Sequence, residues 1–361
     1  MIHRSRLFHP MLRGPAMAFA ALAAATGGAS AQTGSTAVTM YGIADVGIMS
    51  TSRGSGAPAV TQVMSGVNST SRWGIRGSED LGGGMKAMFN FEAQVNVDEG
   101  SGAATGGGLN FARRSFVGLE GAFGQVYLGR DYTPGYYVAI GNDTFRYGLW
   151  GSTITFSSGA GGLTTRASNA IFYRSPKLGG VEFRAMYGVG ERDAAPARGG
   201  DIAGVGAYWS SGPVNLAAYY HDLKVVTAGS ASTTSTRQYG IGGGWDLGGF
   251  RLNAGYGASD PAGASNTLSH AYAGGSVKAG KGELLAQVML MRRELNRQRA
   301  TTIAVGYMYP LSRRTNLYAT FGRTGNNASG AFPLNNAANS LAAAAAGADP
   351  RAFGVGIRHA F

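Results

Sequence analysis

Residues 83–97 read GGMKAMFNFEAQVNV. Met85, Ala87, Phe89, Phe91 and Ala93 fall on one parity, and Lys86, Asn90, Glu92 and Gln94 on the other. Apolar groups at every second position share one side of an extended chain, because successive side chains of a strand project to opposite faces. A helix would group them at every third or fourth residue instead. The stretch therefore predicts a strand with one greasy face and one wet face. The same alternation runs through AVTMYGIADVGI at 37–48, where Val38, Met40, Ala44, Val46 and Ile48 oppose Thr39, Tyr41 and Asp45. It returns where Leu284, Ala286, Val288 and Leu290 oppose Glu283 and Gln287, and where Ile303, Val305, Tyr307 and Tyr309 share a face.

Sixteen such segments follow one another, beginning near Ala37, Val67, Gly83, Phe111, Gly124, Ala167, Gly180, Asp201, Pro213, Thr236, Gly249, Thr267, Gly282, Arg299, Arg314 and Arg351. Most hold about 9–13 residues, enough to cross a bilayer when tilted. The connections alternate in length. SEDLGGG, EGAFG, SPKLGG, SSGP, DLGG, KAGKG and YPLSRR are short and turn-like. Residues 51–66, 98–110, 132–166, 191–200, 225–235, 260–266 and 324–350 are longer and polar, and only the connection around Asn296 is short in that set. Short turns at one end and long loops at the other predict an all-β, 16-stranded antiparallel transmembrane barrel. A soluble sandwich with one dry face per sheet shares the alternation. Sparse charge on the apolar parity, aromatics near strand ends and an even count that closes the sheet without edges favour the barrel. In the terminal RAFGVGIRHAF (351–361), Phe353, Val355, Ile357, His359 and Phe361 are expected outward and Arg358 inward, as a closing strand requires. His359 then belongs to an interfacial girdle.

Composition narrows the remaining classes. Arg4, Arg6 and Arg13, the apolar PAMAFAALAAA and Ala29-Ser30-Ala31 have the order of an export signal over residues 1–31, leaving 32–361 as the barrel. Beyond that segment no apolar run approaches the roughly 18 residues of a membrane helix. Cysteine is absent, so disulfides, thiolate metal sites and thiol nucleophiles are excluded. The net charge is +12, but Lys and Arg are spread singly rather than in blocks. With export expected, nucleic acid is not an expected partner. His221, His270 and His359 are far apart and lack the companions of metal or Ser-His-Asp chemistry. The glycine clusters lack the strand-to-helix context and the Lys of a phosphate loop. No enzyme and no cofactor is expected.

Several stretches together resemble a known family. SRWGIRGSEDLGGGMKAMFNFE (71–92), FARRSFVGLEGAFGQVYLGRDY (111–132), AVTMYGIADVGI, TNLYATFGRT and the terminal FGVGIRHAF are similar to the general diffusion porins of Gram-negative bacteria, in their β-proteobacterial trimeric branch. The resemblance implies a homotrimeric, water-filled outer-membrane barrel with its third external loop folded inward. It also implies insertion by an assembly machinery that reads the terminal aromatic strand, which makes Phe361 an assembly signal. Outer-membrane lipid, lipopolysaccharide and small hydrophilic solutes and anions are the other expected partners. One departure matters. Related enteric porins carry an acidic PEFG-type motif on the constricting loop, and between Tyr132 and Arg166 the only acid is Asp143.

The pore lining follows from parity and from the resemblance separately. Alternation puts Arg72 and Arg76 opposite Trp73 and Ile75, and Arg114 opposite Val117 and Leu119, hence inward. Lipid-facing arginine at mid-membrane would cost about 2–4 kcal/mol. The parity of Arg130 is ambiguous where the chain leaves the wall, and Arg166 re-enters it. The resemblance implies that Arg72, Arg130 and Arg166 form a basic ladder opposite the loop, with Arg76 and Arg114 nearby. On the loop, Tyr132, Pro134, Tyr136, Tyr137, Phe145, Tyr147 and Trp150 are aromatic and apolar enough to pack against the wall. The expected function is passive diffusion of small hydrophilic solutes with a preference for anions. The alternative is a solute-specific porin with a saturable site for phosphate, a dicarboxylate or a sugar.

Overall fold

The computed structural model describes residues 37–102, 110–190, 199–226, 232–263 and 265–361. The expected export segment, 1–31, lies outside them. In chain order come β1 (Ala37–Ser52), β2 (Val60–Ser65), β3 (Arg72–Gly82), β4 (Met85–Asn96), the two-residue β5 (Ser101–Gly102), β6 (Arg114–Gly121) and β7 (Gly124–Tyr132). A long connection carries helix α1 (Pro134–Asn142) and a π-helical turn, Thr155–Gly159. Then follow β8 (Arg166–Arg174), β9 (Val181–Gly188), β10 (Ile202–Ser211), β11 (Val214–Val226), β12 (Thr233–Asp246) and β13 (Phe250–Pro261). β14 (Leu268–Ala279), β15 (Gly282–Arg293), β16 (Gln298–Pro310) and β17 (Thr315–Asn326) continue the series. A small hairpin, β18 (Leu334–Asn335) with β19 (Ser340–Leu341), precedes β20 (Arg351–Ala360).

Every strand pair is antiparallel, and the sheet closes on itself. β20 lies between β17, where Phe353 faces Phe321, and β1, where Ile43 faces Ala360 and Ser52 faces Arg351. The sheet joins 18 strands among the described residues, but β5 is a stub on β4, and β2 and β3 share one place in the wall. Sixteen wall strands remain. The second of them differs from the expected segment beginning near Val67. It starts at Val60, leaves the wall over Gly66–Ser71 and resumes at Arg72, so β1 pairs with β2 along its outer half and with β3 along its inner half.

Asp45 causes this excursion. Its buried carboxylate accepts the backbone amides of Val67, Asn68 and Ser69 at 3.0, 3.3 and 2.9 Å, and the Tyr318 hydroxyl at 2.8 Å. Amides that would have entered the ladder are satisfied by a side chain, and the chain bends into the barrel.

The outer face bears out the alternation. In β15, Leu284, Ala286, Val288 and Leu290 are exposed while Leu285, Gln287, Met289 and Met291 are buried. In β20, Phe353, Val355, Ile357, His359 and Phe361 are exposed and Ala352 and Gly354 buried. An apolar band of this extent runs around the barrel through Ile48, Val117, Leu128, Val205, Ile241 and Val305. Each such side chain gains about 1.5–3 kcal/mol on leaving water, so a soluble sandwich is excluded and hydrocarbon is the solvent of this face. Some of the sixty glycines make room for rings on the opposite face. A Cβ on Gly356 would stand 2.3 Å from the Tyr318 ring, and one on Gly118 equally close to Tyr127.

The core sits inside the barrel, between the wall and the connection that joins β7 to β8. Thr133 caps α1 by accepting the Tyr136 amide at 3.3 Å, and Pro134 starts the helix with a preset φ. The Gly135 amide donates to His221 Nε2 at 3.1 Å, and the Thr144 amide to Gln287 Oε1 at 3.2 Å. The Trp150 amide donates to Thr320 Oγ1 at 3.3 Å, and the Thr164 amide to Gln238 Oε1 at 2.9 Å. All four acceptors are inward-facing wall side chains. Phe145, Leu149 and Trp150 pack with Leu285, Ala304 and Tyr318, while Val138, Phe156 and Leu163 pack with Tyr219, Tyr272 and Met289. The loop therefore lies against the inner wall, held by backbone bonds and by two apolar clusters.

Candidate pore constriction

Beside this loop lies a space of 310 Å³. Four elements border it. The wall contributes Arg72, Arg113 and Arg166, the long loop contributes Tyr136, Ile140 and Arg146, and the connection between β17 and β20 contributes Asn335, Asn336, Asn339 and Ser340. This last connection is held in place by its own bonds: the Thr70 hydroxyl donates to Ala337 O at 2.8 Å, Asn339 Nδ2 to Ser65 O at 2.9 Å, and the Gly151 amide to Asn335 O at 3.0 Å. The excursion held by Asp45 supplies Asn68, Ser69 and Thr70 to the same rim. No carboxylate borders the space among the described residues, against four arginines.

The wall arginines form one network. Arg113 Nε donates to Glu92 Oε1 at 2.8 Å and its Nη2 to the Tyr132 hydroxyl at 2.5 Å. Arg166 Nη2 donates to the same hydroxyl at 2.9 Å, and its guanidinium lies 4.4 Å from the Tyr132 ring centroid. Arg72 Nε stands 3.8 Å from Glu92 Oε2. One buried glutamate thus touches two of these three cations, and Arg166 meets Tyr132 instead, which leaves the cluster positive. Tyr132 stacks on Tyr136 with centroids 3.8 Å apart, so the network also braces α1.

On the loop side the charges separate. Asp143 is buried; its Oδ2 accepts the Tyr147 amide at 2.7 Å, and its backbone carbonyl accepts the Arg146 amide at 3.0 Å. Burial pushes this carboxyl up to about 6. The turn it secures holds Arg146 at φ 52° and Tyr147 at φ 65°, left-handed conformations that cost about 1–3 kcal/mol each and need such support. The result hides the loop's acid against the wall and turns its cation toward the lumen. Asp143, Phe145 and Trp150 are anchors that do not border the narrow space, whereas Tyr136 does.

The other arginines expected at the site lie elsewhere. Arg114 points inward, but makes a bidentate pair with Asp131 at 2.7 and 2.8 Å, and its charge is neutralised there. Arg76 lies over the Tyr41 ring at 5.2 Å, toward the end of the barrel where β1 begins. Arg130 donates to Ala112 O and Ser168 Oγ and, with Arg166, borders a wider space of 530 Å³ on the loop side of the constriction. Tyr137 faces Arg184, whose guanidinium sits 3.6 Å from its ring centroid. His221 anchors α1, and His270 stacks on Phe156 at 3.7 Å, so both histidines serve the packing of the loop. At the seam of the barrel the Phe361 amide donates to Gly42 O at 3.1 Å, and the Gly42 amide donates back to Phe361 O at 3.1 Å.

Known proteins share this architecture. The family described as Gram-negative porin matches residues 18–329. Outer membrane porin protein 32 of Delftia acidovorans is 31% identical over 353 residues, covering 94% of this chain and 98% of its own. An outer membrane porin protein of Bordetella pertussis is 28% identical, covering 96% and 99%. The solved structure of the anion-selective porin from Comamonas acidovorans matches with a TM-score of 0.82 at 28% identity, over 91% of this chain and 100% of that one. The family's members are outer-membrane channels rather than enzymes. A closed sixteen-strand barrel with a lipid-facing band, a narrowed lumen and full-length similarity to porins has one reading: the chain belongs to the Gram-negative porin family and is an outer-membrane β-barrel.

Proposed function

We propose that this porin is a passive, water-filled channel for small hydrophilic solutes that prefers anions. The reading rests on the four arginines, Arg72, Arg113, Arg146 and Arg166, that border the narrow space, where no carboxylate joins them among the described residues and the single Glu92 lies buried behind Arg113 and Arg72. A unit anion about 6 Å from one guanidinium gains roughly 0.7 kcal/mol at the dielectric of water. Four such charges, offset by the one carboxylate of Glu92, hold a potential well that salt screens only in part, since the Debye length at physiological ionic strength is about 8 Å. The well is shallow enough to let an ion leave, as conduction requires. The anion-selective porin from Comamonas acidovorans, similar over 91% of the chain, supports the same polarity.

Residues 1–31 would direct export, and Phe361 would present the terminal strand to the assembly machinery. Three copies would form a homotrimer in contact with lipid and lipopolysaccharide. The test is reconstitution into planar bilayers under a potassium chloride gradient. Ohmic steps closing in threes, with a reversal potential on the chloride side, are expected. A potassium-side potential would overturn the polarity, and a silent bilayer the channel itself.

A further inference from the structure

The wall side of the constriction is cationic, and its loop side carries an apolar face beside Arg146. Tyr136 and Ile140 lie four residues apart on α1, one above the other on a single helix face. Both are partly exposed, whereas Val138, Phe145 and Trp150 of the same loop are buried. Both border the same 310 Å³ as the arginines, with Ile154 beside them. Inorganic anions crossing this space use the arginines alone and leave Ile140 hydrated. On the wall side stand the guanidinium groups of Arg166 and Arg72, both bordering the space, and Arg72 touches Glu92 only at 3.8 Å. A solute that pairs with these donors and covers the Tyr136–Ile140 face satisfies both sides at once.

We propose that the constriction binds organic monocarboxylates carrying a compact apolar or aromatic body, the carboxylate on Arg166 and Arg72 and the body on Tyr136 and Ile140. The inference rests on the anion-preferring pore and names the solute class that this pore favours. The volume of 310 Å³ is at the lower end of small-molecule sites, which suits one such solute at a time.

The experiment uses the whole porin in planar bilayers with symmetric potassium chloride, to which sodium benzoate, sodium acetate or benzyl alcohol is added. Benzoate should halve the chloride current at a concentration about tenfold below acetate, the ratio that burial of about 55 Å² of apolar surface supplies. Benzyl alcohol, with the ring but no charge, should be weaker than either. The substitution Ile140→Gln should move benzoate about threefold toward acetate, while Ile140→Leu keeps the wild-type preference and shows that the loop still folds. Equal block by benzoate and acetate in a chloride-selective channel would overturn this inference alone, as would an unchanged preference in Ile140→Gln. A channel that selects potassium would instead overturn the reading on which it depends.

Discussion

Reversing one charge on the loop tests the electrostatic account most directly. Arg146 is the cation that the buried Asp143 turn presents to the lumen, and Arg146→Glu changes the local charge by two units without touching the wall network of Arg72, Arg113 and Arg166. A sphere of 310 Å³ has a radius of about 4.2 Å, so an ion at its centre stands about 6 Å from a guanidinium on its border. Two unit charges at that distance act on an anion with about 1.4 kcal/mol in water, and screening at a Debye length of about 8 Å leaves roughly 0.7 kcal/mol. The cation gains what the anion loses, so the chloride-to-potassium permeability ratio should fall by about tenfold. Reversal potentials across a tenfold salt gradient measure this ratio, and Arg146→Gln should fall about midway on a logarithmic scale. Arg76→Gln, remote from the narrow space and lying over Tyr41, should shift it far less. A ratio that stays put in Arg146→Glu, or that moves equally in Arg76→Gln, would refute the view that selectivity is set at the constriction.

Raising the salt from 0.1 M to 1 M shortens the Debye length from about 10 to 3 Å, so the wild-type preference for chloride should largely collapse while conductance rises. A preference independent of salt would point to steric selection. Asp45→Ala leaves the amides of Val67, Asn68 and Ser69 and the Tyr318 hydroxyl without their acceptor, at a cost of at least about 3 kcal/mol. Its unfolding temperature in detergent should drop accordingly, and an unchanged value would mean that the excursion at Gly66–Ser71 is held by other contacts. The Asp143 carboxyl titrates at about 6 in the folded protein against an ordinary 3.8. A raised folded value gives stability that is complete below 3.8 and lost as pH climbs through 6, in total about 3 kcal/mol. Asp143→Asn should therefore gain on the wild type between pH 4 and pH 8 in thermal unfolding, and a difference flat with pH would contradict the burial of this acid.

The wall is legible in the sequence because parity survives without knowledge of partners: a one-residue slip would turn every Leu284-type side chain into the lumen. The Arg114–Asp131 pair is legible by the same logic. The turn EGAFG sets Gly121 opposite Gly124, and counting outward along β6 and β7 brings residue 114 opposite residue 131, so an inward Arg114 meets an acid rather than a permeating ion. That count cannot be made for Arg113, which reaches Glu92 across a long connection whose length fixes no register. Arg113 also sits where the chain leaves the wall, where alternation no longer assigns a face. The last external connection hides for a related reason. Its low-complexity stretch reads as an outer loop, and it is the bonds from the Gly151 amide to Asn335 O, from Thr70 to Ala337 O and from Asn339 to Ser65 O that hold its hairpin in the lumen. Arg146 had one signal, as the single basic residue between Tyr132 and Arg166, just as Asp143 is the single acid. Composition alone makes these two cancel. The left-handed turn at Arg146 and Tyr147 breaks the balance by placing the carboxyl against Gln287 and the Thr153 amide, out of water, and the guanidinium in it. The same two residues with their exposures exchanged would give the loop the opposite sign, so the loop's share of the polarity of this pore is a property of backbone geometry at four residues rather than of the net charge of the chain.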